Sequence, residues 1–280
     1  MNSYNRTGYL KSNFKIFHLK DQKKHDIEYH YHDFHKILIF LSGNVTYSIE
    51  GRSYELQPND IVFVNSGEVH KPIINDNSTY ERIIIYISKD YLDSYSEKNN
   101  DLSLCFKKAS SNKSHVLRVH SFSNSKLGSI TKELEASFNT DAYANDLYHN
   151  ILFLEFMIQL NRLSINDGIE YIKNSSPNQK IVEIINYVNN NLTDEISIDS
   201  LAKTFFLSRY YLMHIFKEET GYTIGNYITN KRLLLAKDFI LHGMPITAAC
   251  YESGFKNYST FSRAYKKTFG TTPTNAFKES

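Results

Sequence analysis

The feature that most constrains this chain is a helix–turn–helix pattern in residues 245–270. Ala249 and Cys250 lie on the apolar side of a short predicted helix, and Gly254 supplies the backbone freedom that a sharp turn needs. Asn257 is a favourable N-cap, because its side chain can accept hydrogen bonds from the first amides of a following helix. The pattern therefore predicts two short helices joined by a tight turn.

The second predicted helix has two distinct faces. One is apolar at helical spacing and is expected to point inward: Phe261, Ala264, Tyr265 and Thr268. The other is polar and positively charged: Ser259, Ser262, Arg263 and Lys266. Such a face, on the second helix after a tight turn, suits the major groove of DNA. The alternative is that it is the solvated face of an ordinary helical hairpin.

The same pattern occurs a second time, in residues 197–221, and the repetition favours DNA binding over a solvated hairpin. Aligning Gly221 with Gly270 places Ser208 on Asn257 and brings the apolar positions of the two helices together. The outward face of the earlier unit then consists of Tyr210, Met213, His214 and Lys217.

Residues 223–241 are predicted to form a helix that connects the two units. Its length of about 28 Å is comparable to the ~34 Å repeat of B-DNA, so it can hold two helices over successive major grooves. A further helix is expected at residues 179–192, packed on the first unit. Thr272 and Pro273 are typical of the start of a short last helix.

Three motifs in this region carry a resemblance to a known family: LSRYYLMHIFKEETG, NYITNKRLLLAKDFIL and GFKNYSTFSRAYKKTFGTTP. They resemble the double helix-turn-helix DNA-binding domain of AraC/XylS-type transcriptional regulators, over about a third of the chain. The resemblance implies binding to double-stranded promoter or operator DNA, and contact with RNA polymerase if the protein is an activator. The residues expected to contact DNA are Arg209, Tyr210, Met213, His214, Lys217, Asn257, Tyr258, Ser259, Thr260, Ser262, Arg263 and Lys266.

The composition is that of a two-domain protein. A chain of 280 residues with 41% hydrophobic and 22% charged residues can bury two cores. It contains no apolar run of the ~20 residues that span a membrane and no apolar signal core at its N-terminus, so we expect a cytoplasmic protein without a membrane partner. Cys105 and Cys250 are far apart and fit reduced thiols.

The net charge of +2 is unevenly distributed along the chain. Residues 178–280 contain 12 Lys and Arg against 9 Asp and Glu, whereas the remainder contains 20 against 21. A basic C-terminal part suits nucleic acid, although the bias is mild.

Residues 25–72 alternate short β-branched and aromatic runs with turn sequences, and residues 79–88 continue the pattern. With a possible first strand at FKIFHL, this spacing predicts an antiparallel barrel or jelly roll. The segment resembles a cupin, through His30-x-His32, Gly43, Pro58-x-Asp60 and His70. In metal-binding cupins a His-x-His pair, a following Glu and a later His hold one ion.

Lys36 stands where that resemblance would place the metal-binding Glu. A cation at this position opposes a metal ion, and the neighbouring His35 would point to the other face of the strand. We therefore expect no metal and no cofactor, and predict that His30, His32, Lys36 and His70 bind a small polar or anionic effector. The alternative is that the histidines only form hydrogen bonds within a polar barrel mouth.

Two helices are expected after the barrel, at residues 125–138 and 144–163. The second is apolar over much of its circumference, with one stripe at Leu147, Ile151, Leu154 and Ile158 and a second surface around Phe153 and Phe156. One surface can cover the barrel, and the other is predicted to pair with the same helix of a second subunit in a homodimer. Alternatively, the preceding helix covers it.

Together these patterns predict an α+β protein with a cupin-like antiparallel β-barrel and flanking helices, followed by two helix-turn-helix units joined by a linker helix. Residues 1–165 form the effector-sensing and dimerisation domain, 166–178 a linker, and 179–280 the DNA-binding domain. The predicted function is sequence-specific transcription regulation in response to a small molecule, not catalysis. Two alternatives remain: a metal-dependent cupin enzyme fused to a DNA-binding module, and a regulator whose barrel is purely structural.

Overall fold

The structure is a computed structural model that describes residues 10, 12–22, 27–96, 100–139, 141–166, 169–176 and 178–279. These residues divide into two compact units, one formed mostly by residues up to Ser175 and the other mostly by residues from Ser176 onward. The first unit contains the strands, and the second is helical. The predicted α+β class is confirmed.

The described strands of the first unit form two antiparallel sheets. Their bounds are β1 Phe14–Asp21, β2 His35–Ser42, β3 Val45–Ile49, β4 Arg52–Glu55, β5 Ile61–Val64, β6 His70–Ile74, β7 Tyr80–Ile87, β8 Val116–Arg118 and β9 Glu170–Tyr171. The larger sheet has the order β1-β7-β2-β5-β8-β9, and the smaller has the order β4-β3-β6.

The central strands of the larger sheet are buried on both faces. On β2, Ile37 and Ile39 join one apolar cluster with the helices, whereas Leu38 and Phe40 join a second cluster with the smaller sheet. Side chains alternate along a strand, so both sets must be apolar, and the sequence shows continuous runs such as ILIF and IVFV. The even-numbered residues of β2, including Lys36, therefore line the space between the sheets.

In the described residues of this unit, four α-helices accompany the sheets: α1 Lys89–Asp93, α2 Leu104–Ser111, α3 Lys126–Ser137 and α4 Asn145–Ile165. The sequence did not predict α2, because its apolar positions stand in a polar stretch without a clear cap. A distant residue stabilises its start instead, since the backbone N–H of Cys105 donates to Asn161 Oδ1 of α4 at 2.7 Å.

The segment predicted as a linker, residues 166–178, is partly regular. Glu170–Tyr171 forms β9, which pairs with β8 at the edge of the larger sheet. Asn174 Oδ1 also accepts a hydrogen bond from the backbone N–H of Ser53 at 2.9 Å. These long-range contacts attach the segment to the first unit, and its polar, turn-rich sequence gives no local sign of them.

From Gln179 onward, the described residues of the second unit form helices joined by short connections. They are α5 Gln179–Asn190, α6 Ile198–Thr204, α7 Arg209–Thr220, α8 Ile224–Leu241, α9 Ile246–Glu252, α10 Tyr258–Phe269 and α11 Pro273–Glu279. The two predicted helix-turn-helix units are α6–α7 and α9–α10, and α8 connects them. In the described part of the chain, none of the helices combines the length and apolarity that a membrane crossing requires.

The second helices of the two units have equivalent caps. Ser208 begins α7 and Asn257 begins α10, and each side chain accepts from the backbone N–H three residues further on. Gly221 and Gly270 end these helices in the left-handed conformation, with φ of 73° and 76°. Few side chains tolerate this φ, so the two glycines fix the ends of the helices as the alignment predicted.

One detail of the predicted α10 face is corrected by the structure. Phe261 and Tyr265 are fully buried as expected, but the third buried residue is Phe269, and Thr268 is only half-buried. Phe269 packs on Tyr265 with ring centroids 4.6 Å apart. Phe261, Tyr265 and Phe269 follow one another at four-residue spacing, and the larger apolar area of phenylalanine favours burial of Phe269 over Thr268.

Candidate nucleic-acid interface and effector site

The outward face of α7 is exposed along its length. Tyr210, Met213, His214 and Lys217 are all exposed, while Leu212 and Phe216 on the opposite side are fully buried. The Tyr210 ring is 78% exposed, which leaves its hydroxyl and its aromatic face available to a partner. The sequence prediction of this face therefore agrees with the burial of the helix.

The outward face of α10 has the same arrangement. Ser259, Arg263 and Lys266 are exposed, and Ser262 is half-buried. Arg263 Nε donates to the Ser259 carbonyl of its own helix at 3.3 Å, so its guanidinium still has donors directed to solvent. A flexible cation surrounded by small hydroxyl residues suits a base edge or a phosphate.

Three of the predicted DNA-contacting residues also have structural roles. Asn257 uses its side-chain oxygen to cap α10, accepting from Thr260 N at 3.0 Å. Tyr258 is half-buried, with its ring centroid 6.0 Å from that of Phe261 in the core. Arg209 forms an exposed ion pair with Asp199 of α6 at 3.1 Å. Such a pair contributes little to stability, so Arg209 can exchange its partner at low cost.

One exposed aromatic residue beside α7 was not predicted from the sequence. Phe206 lies in the turn between α6 and α7, is 92% exposed, and has a positive φ of 54°. A large apolar side chain in this conformation is uncommon. Its position in the sequence could have indicated this exposure, because Phe206 stands two residues before the Ser208 cap and outside the apolar pattern of either helix.

In the first unit, Lys36 lies in the space between the two sheets. Its side chain is 5% exposed, and Nζ donates to the hydroxyl of Tyr47 at 2.9 Å. Nζ also lies 3.4 Å from Nε2 of His70. Because Lys36 is on β2 and its two partners are on β3 and β6, this cluster bridges the sheets. Tyr47 was not among the predicted site residues, although it alternates with Val45 and Ile49 on the inner face.

Two of the predicted histidines approach the same cluster. The His32 ring stacks on Phe34 with centroids 4.6 Å apart and lies 5.2 Å from the His70 ring. The predicted His30 belongs to the second unit and not to this cluster, and its Nδ1 lies 2.9 Å from the Glu28 carbonyl. His70 Nδ1 lies 2.9 Å from the Glu68 carbonyl, so it carries the proton and Nε2 is left as an acceptor toward Lys36.

Burial, together with the smaller effect of the positive charge of Arg82, lowers the pKa of Lys36 to about 7. The sequence-based expectation of a fixed cation therefore needs correction, because this amine is about half protonated at neutral pH. Its desolvation could not be judged from the sequence. His35 faces the helices instead, with its ring 4.7 Å from that of Phe106, and burial lowers its pKa to about 4.

His32 and His70, with ring centroids 5.2 Å apart, could supply two ligands of a metal site. Two features oppose a metal there. Lys36 occupies the position of the expected carboxylate, and the Nζ of Lys36 faces the lone pair on His70 Nε2 that a metal would need. Asp60, another residue of the cupin-like motif, is fully buried and held by Arg118 at 2.9 and 2.8 Å. That pair stabilises the barrel and offers no ligand.

Comparisons with known proteins agree with both halves of this description. An AraC-like ligand binding domain matches residues 16–139, and a helix-turn-helix domain matches residues 201–279. The chain belongs to the AraC family of transcriptional regulators. It is thus a DNA-binding regulator with a ligand-binding N-terminal domain and not an enzyme, as the sequence predicted.

Several AraC-family proteins are similar over most of their length. The HTH-type transcriptional activator RhaS of Enterobacter sp. (strain 638) is 25% identical over 246 residues, which cover 87% of this chain and 85% of that protein. RhaS of Escherichia coli (strain SMS-3-5) is 25% identical over 253 residues, with 89% and 86% covered. Among solved structures, ToxT from Vibrio cholerae is 16% identical with a TM-score of 0.38, covering 95% of this chain and 98% of that one.

The lowered pKa of Lys36 predicts a pH dependence of stability. Folding shifts this pKa from 10.5 to about 7, so between these values the unfolded chain binds the extra proton. The free energy of unfolding therefore rises with pH in this window, by up to about 1.4 kcal/mol per unit. Urea unfolding from pH 6.5 to 9.5 should show this rise for the wild type relative to Lys36→Met. A constant difference between the two proteins would contradict the shift.

Proposed function

We propose that this AraC-family regulator is a cytoplasmic homodimer that binds two major grooves per subunit and responds to a small anionic or polar molecule in its barrel. The observation that carries the proposal is the pair of equivalently capped helices, α7 and α10, with exposed polar faces on one rigid helical unit. We call α7 and α10 the recognition helices.

The two recognition helices differ in chemistry. Arg263 can form two hydrogen bonds with a guanine edge, and Lys266, near the end of α10, suits a phosphate. On α7, Tyr210 can donate a hydrogen bond, and Met213 can touch a thymine methyl group. The connecting helix α8 has 18 residues, hence a length of about 27 Å, which is close to the distance between successive major grooves.

This assignment predicts different effects for two cations on the same helix. Arg263→Ala should cost about 1–3 kcal/mol on the preferred site and relax the sequence preference, because a base contact is lost. Lys266→Ala should weaken binding to all sequences about equally, as loss of a phosphate contact does. Equilibrium binding to specific and random DNA at fixed salt measures both effects.

Lys180→Ala is the control for the loss of one positive charge, since Lys180 is exposed on α5 and lies on neither recognition helix. It should change neither the affinity nor the preference by more than about twofold. If Arg263→Ala leaves the ratio of specific to random affinity at the wild-type value, the base-contacting role of Arg263 is wrong.

The barrel cluster supports an anionic or hydroxyl-bearing effector. Lys36 Nζ, the Tyr47 hydroxyl and the His32 ring offer donors within an apolar lining, and His70 Nε2 accepts toward Lys36. A carboxylate or phosphate would restore the charged form of Lys36, since an adjacent anion raises the pKa of an amine. Binding at neutral pH would then be accompanied by partial protonation of the Lys36 amine. The affinity for the anionic ligand would fall as the pH rises above 7.

The effector prediction can be tested by ligand-dependent melting together with metal analysis. A screen of small carboxylates, phosphates and sugars should give a ligand that raises the melting temperature at pH 7, less so at pH 9, and not in Lys36→Met. The exposed Lys15→Met on β1 is the control and should respond like the wild type. Lys36→Glu should lose the anionic ligand and gain affinity for divalent ions.

Two outcomes would overturn parts of this assignment. Stoichiometric transition metal in protein purified without a tag, lost in His32→Ala, would refute the metal-free prediction. If Lys36→Glu changes neither ligand nor metal binding, Lys36 is no part of an effector site and the barrel is structural.

Dimerisation is proposed to use an apolar stripe on α4, formed by Leu147, Ile151, Leu154 and Ile158. Leu147, Ile151 and Ile158 are 62%, 52% and 41% exposed, although α3 packs beside α4. The opposite side of α4 is fully buried against the larger sheet through Phe153 and Phe156. Leu154 packs partly against the core of its unit, so the exposed part of the stripe is Leu147, Ile151 and Ile158. Apolar residues exposed at helical spacing suit the same helix of a second copy.

The double variant Ile151→Glu/Ile158→Glu should be monomeric by sedimentation at tens of micromolar, where the wild type is a dimer. Because of the two-fold symmetry, each substitution places two glutamates in the apolar interface. The dissociation constant of the dimer should therefore rise at least ~100-fold. Tyr143→Glu, just before α4 and fully exposed, is the control and should remain dimeric. A wild-type monomer, or a dimeric double variant, would remove this stripe from the interface.

These roles assign sensing and dimerisation to residues 1–165 and DNA binding to 179–280. The RhaS relatives are named as transcriptional activators. Their names support RNA polymerase as a further partner of this protein, bound beside the promoter.

A further inference from the structure

In the second unit, three segments meet at one point: the middle of α8, the loop between α5 and α6, and the turn between α9 and α10. Arg232 of α8 donates from Nε to the carbonyl of Leu192 and from Nη2 to the carbonyl of Asp194, both at 2.7 Å. Both carbonyls belong to the loop that leads into the first helix-turn-helix unit. We call this contact, together with Gly254 on its other side, the Arg232 joint.

Gly254 brings the second helix-turn-helix unit onto the same joint. It lies in the turn between α9 and α10 with a φ of +91°. A Cβ atom at this position would lie 2.6 Å from the Leu192 carbonyl oxygen and 2.8 Å from Arg232 Nε. The turn therefore needs glycine for its conformation and also for this close approach. The first helix-turn-helix unit, α8 and the second helix-turn-helix unit therefore meet at the Arg232 joint.

An ion pair adds a second contact between the same two segments. Lys256, two residues after Gly254, lies with Nζ 2.6 Å from Glu195 Oε1 in the α5–α6 loop. Both side chains are exposed, so the pair contributes little to stability. Its position beside the Arg232 joint gives two adjacent points of attachment, which restrain rotation better than a single point.

Without such a brace, α8 alone would set the distance between the recognition helices. The N-terminal part of α8 packs on the first helix-turn-helix unit through Tyr227, whose ring centroid lies 5.3 Å from that of Phe216. Its C-terminal part packs on the second helix-turn-helix unit through Leu233 and Ile240. A bend of about 20° in the middle of α8, about 13 Å from its end, would displace the second unit by about 5 Å. That exceeds the ~3.4 Å rise of one base pair.

We propose that Arg232 is a positioning residue that fixes the distance between α7 and α10 and so selects the number of base pairs between two half-sites of the operator, by which we mean the two major-groove segments that one subunit contacts. The inference rests on the proposed use of both recognition helices. Arginine suits the role because its planar guanidinium directs several donors at fixed angles, whereas lysine has one ammonium on a flexible stem. Arg232 is in the connecting helix and not on the DNA-facing side of either recognition helix.

The test combines changes in operator spacing with substitutions of Arg232. An operator selected with the full-length protein is remade with one base pair added or removed between its half-sites, and with either half-site scrambled. Dissociation constants at fixed salt are measured for the wild type, Arg232→Ala, Arg232→Lys and the charge control Lys180→Ala.

The wild type and Lys180→Ala should lose at least ~10-fold in affinity for each altered spacing, since the second recognition helix is then misplaced. Arg232→Ala should lose less than ~3-fold, while its affinity for the parent operator falls by less than ~10-fold. Arg232→Lys should be intermediate. A purely structural role would lower affinity for all spacings equally and would leave the spacing preference unchanged.

If Arg232→Ala keeps the wild-type spacing penalty, the joint does not set the spacing and the inference is wrong. If the wild type itself tolerates every spacing and ignores one scrambled half-site, the use of two recognition helices fails first. If circular dichroism shows that Arg232→Ala does not fold, the double variant Glu195→Ala/Lys256→Ala is measured instead, since both of its side chains are exposed. A reduced spacing penalty in this variant supports the proposal, and an unchanged penalty overturns it.

Discussion

The burial of α8 between the two helix-turn-helix units is the interaction on which the function of this regulator depends. Tyr227 is buried on the first helix-turn-helix unit, and Leu233, Ala236 and Ile240 are fully buried on the second helix-turn-helix unit. Because one continuous helix supplies both sets of contacts, α7 and α10 lie in one compact unit, and binding of one helix leaves little ordering for the other. The equivalent caps at Ser208 and Asn257 then present both exposed faces at defined helix starts.

In the first unit, a buried amine has a comparable importance. Lys36 lies between two sheets whose facing residues are mostly apolar, and burial brings its pKa close to neutral pH. An unpaired buried charge is costly, so an anion that restores the charge gains the most from this position. A ligand shifts a regulator only as far as its affinities for two arrangements differ, and Lys36 provides a chemical basis for such a difference.

Much of the fold followed from local sequence signals. The caps, the glycines Gly221 and Gly270, and the apolar periodicity of α7 and α10 are short-range features, and they predicted both DNA-binding units. Long-range interactions were not predictable in the same way. Helix α2 begins on Asn161, and β9 pairs with β8 only after the chain returns to the sheet. The role of Tyr47 and the shifted pKa of Lys36 arise from facing sheets, which periodicity within one strand does not reveal.

The central claim is that each subunit places two recognition helices in successive major grooves on one side of the DNA. Footprinting with hydroxyl radicals and with a reagent for guanine N7, on an operator selected from random sequence, measures this directly. We predict two protected major-groove windows per subunit, about 10 base pairs apart on the same face of the duplex. A single protected window per subunit, or two windows on opposite faces, would contradict the claim.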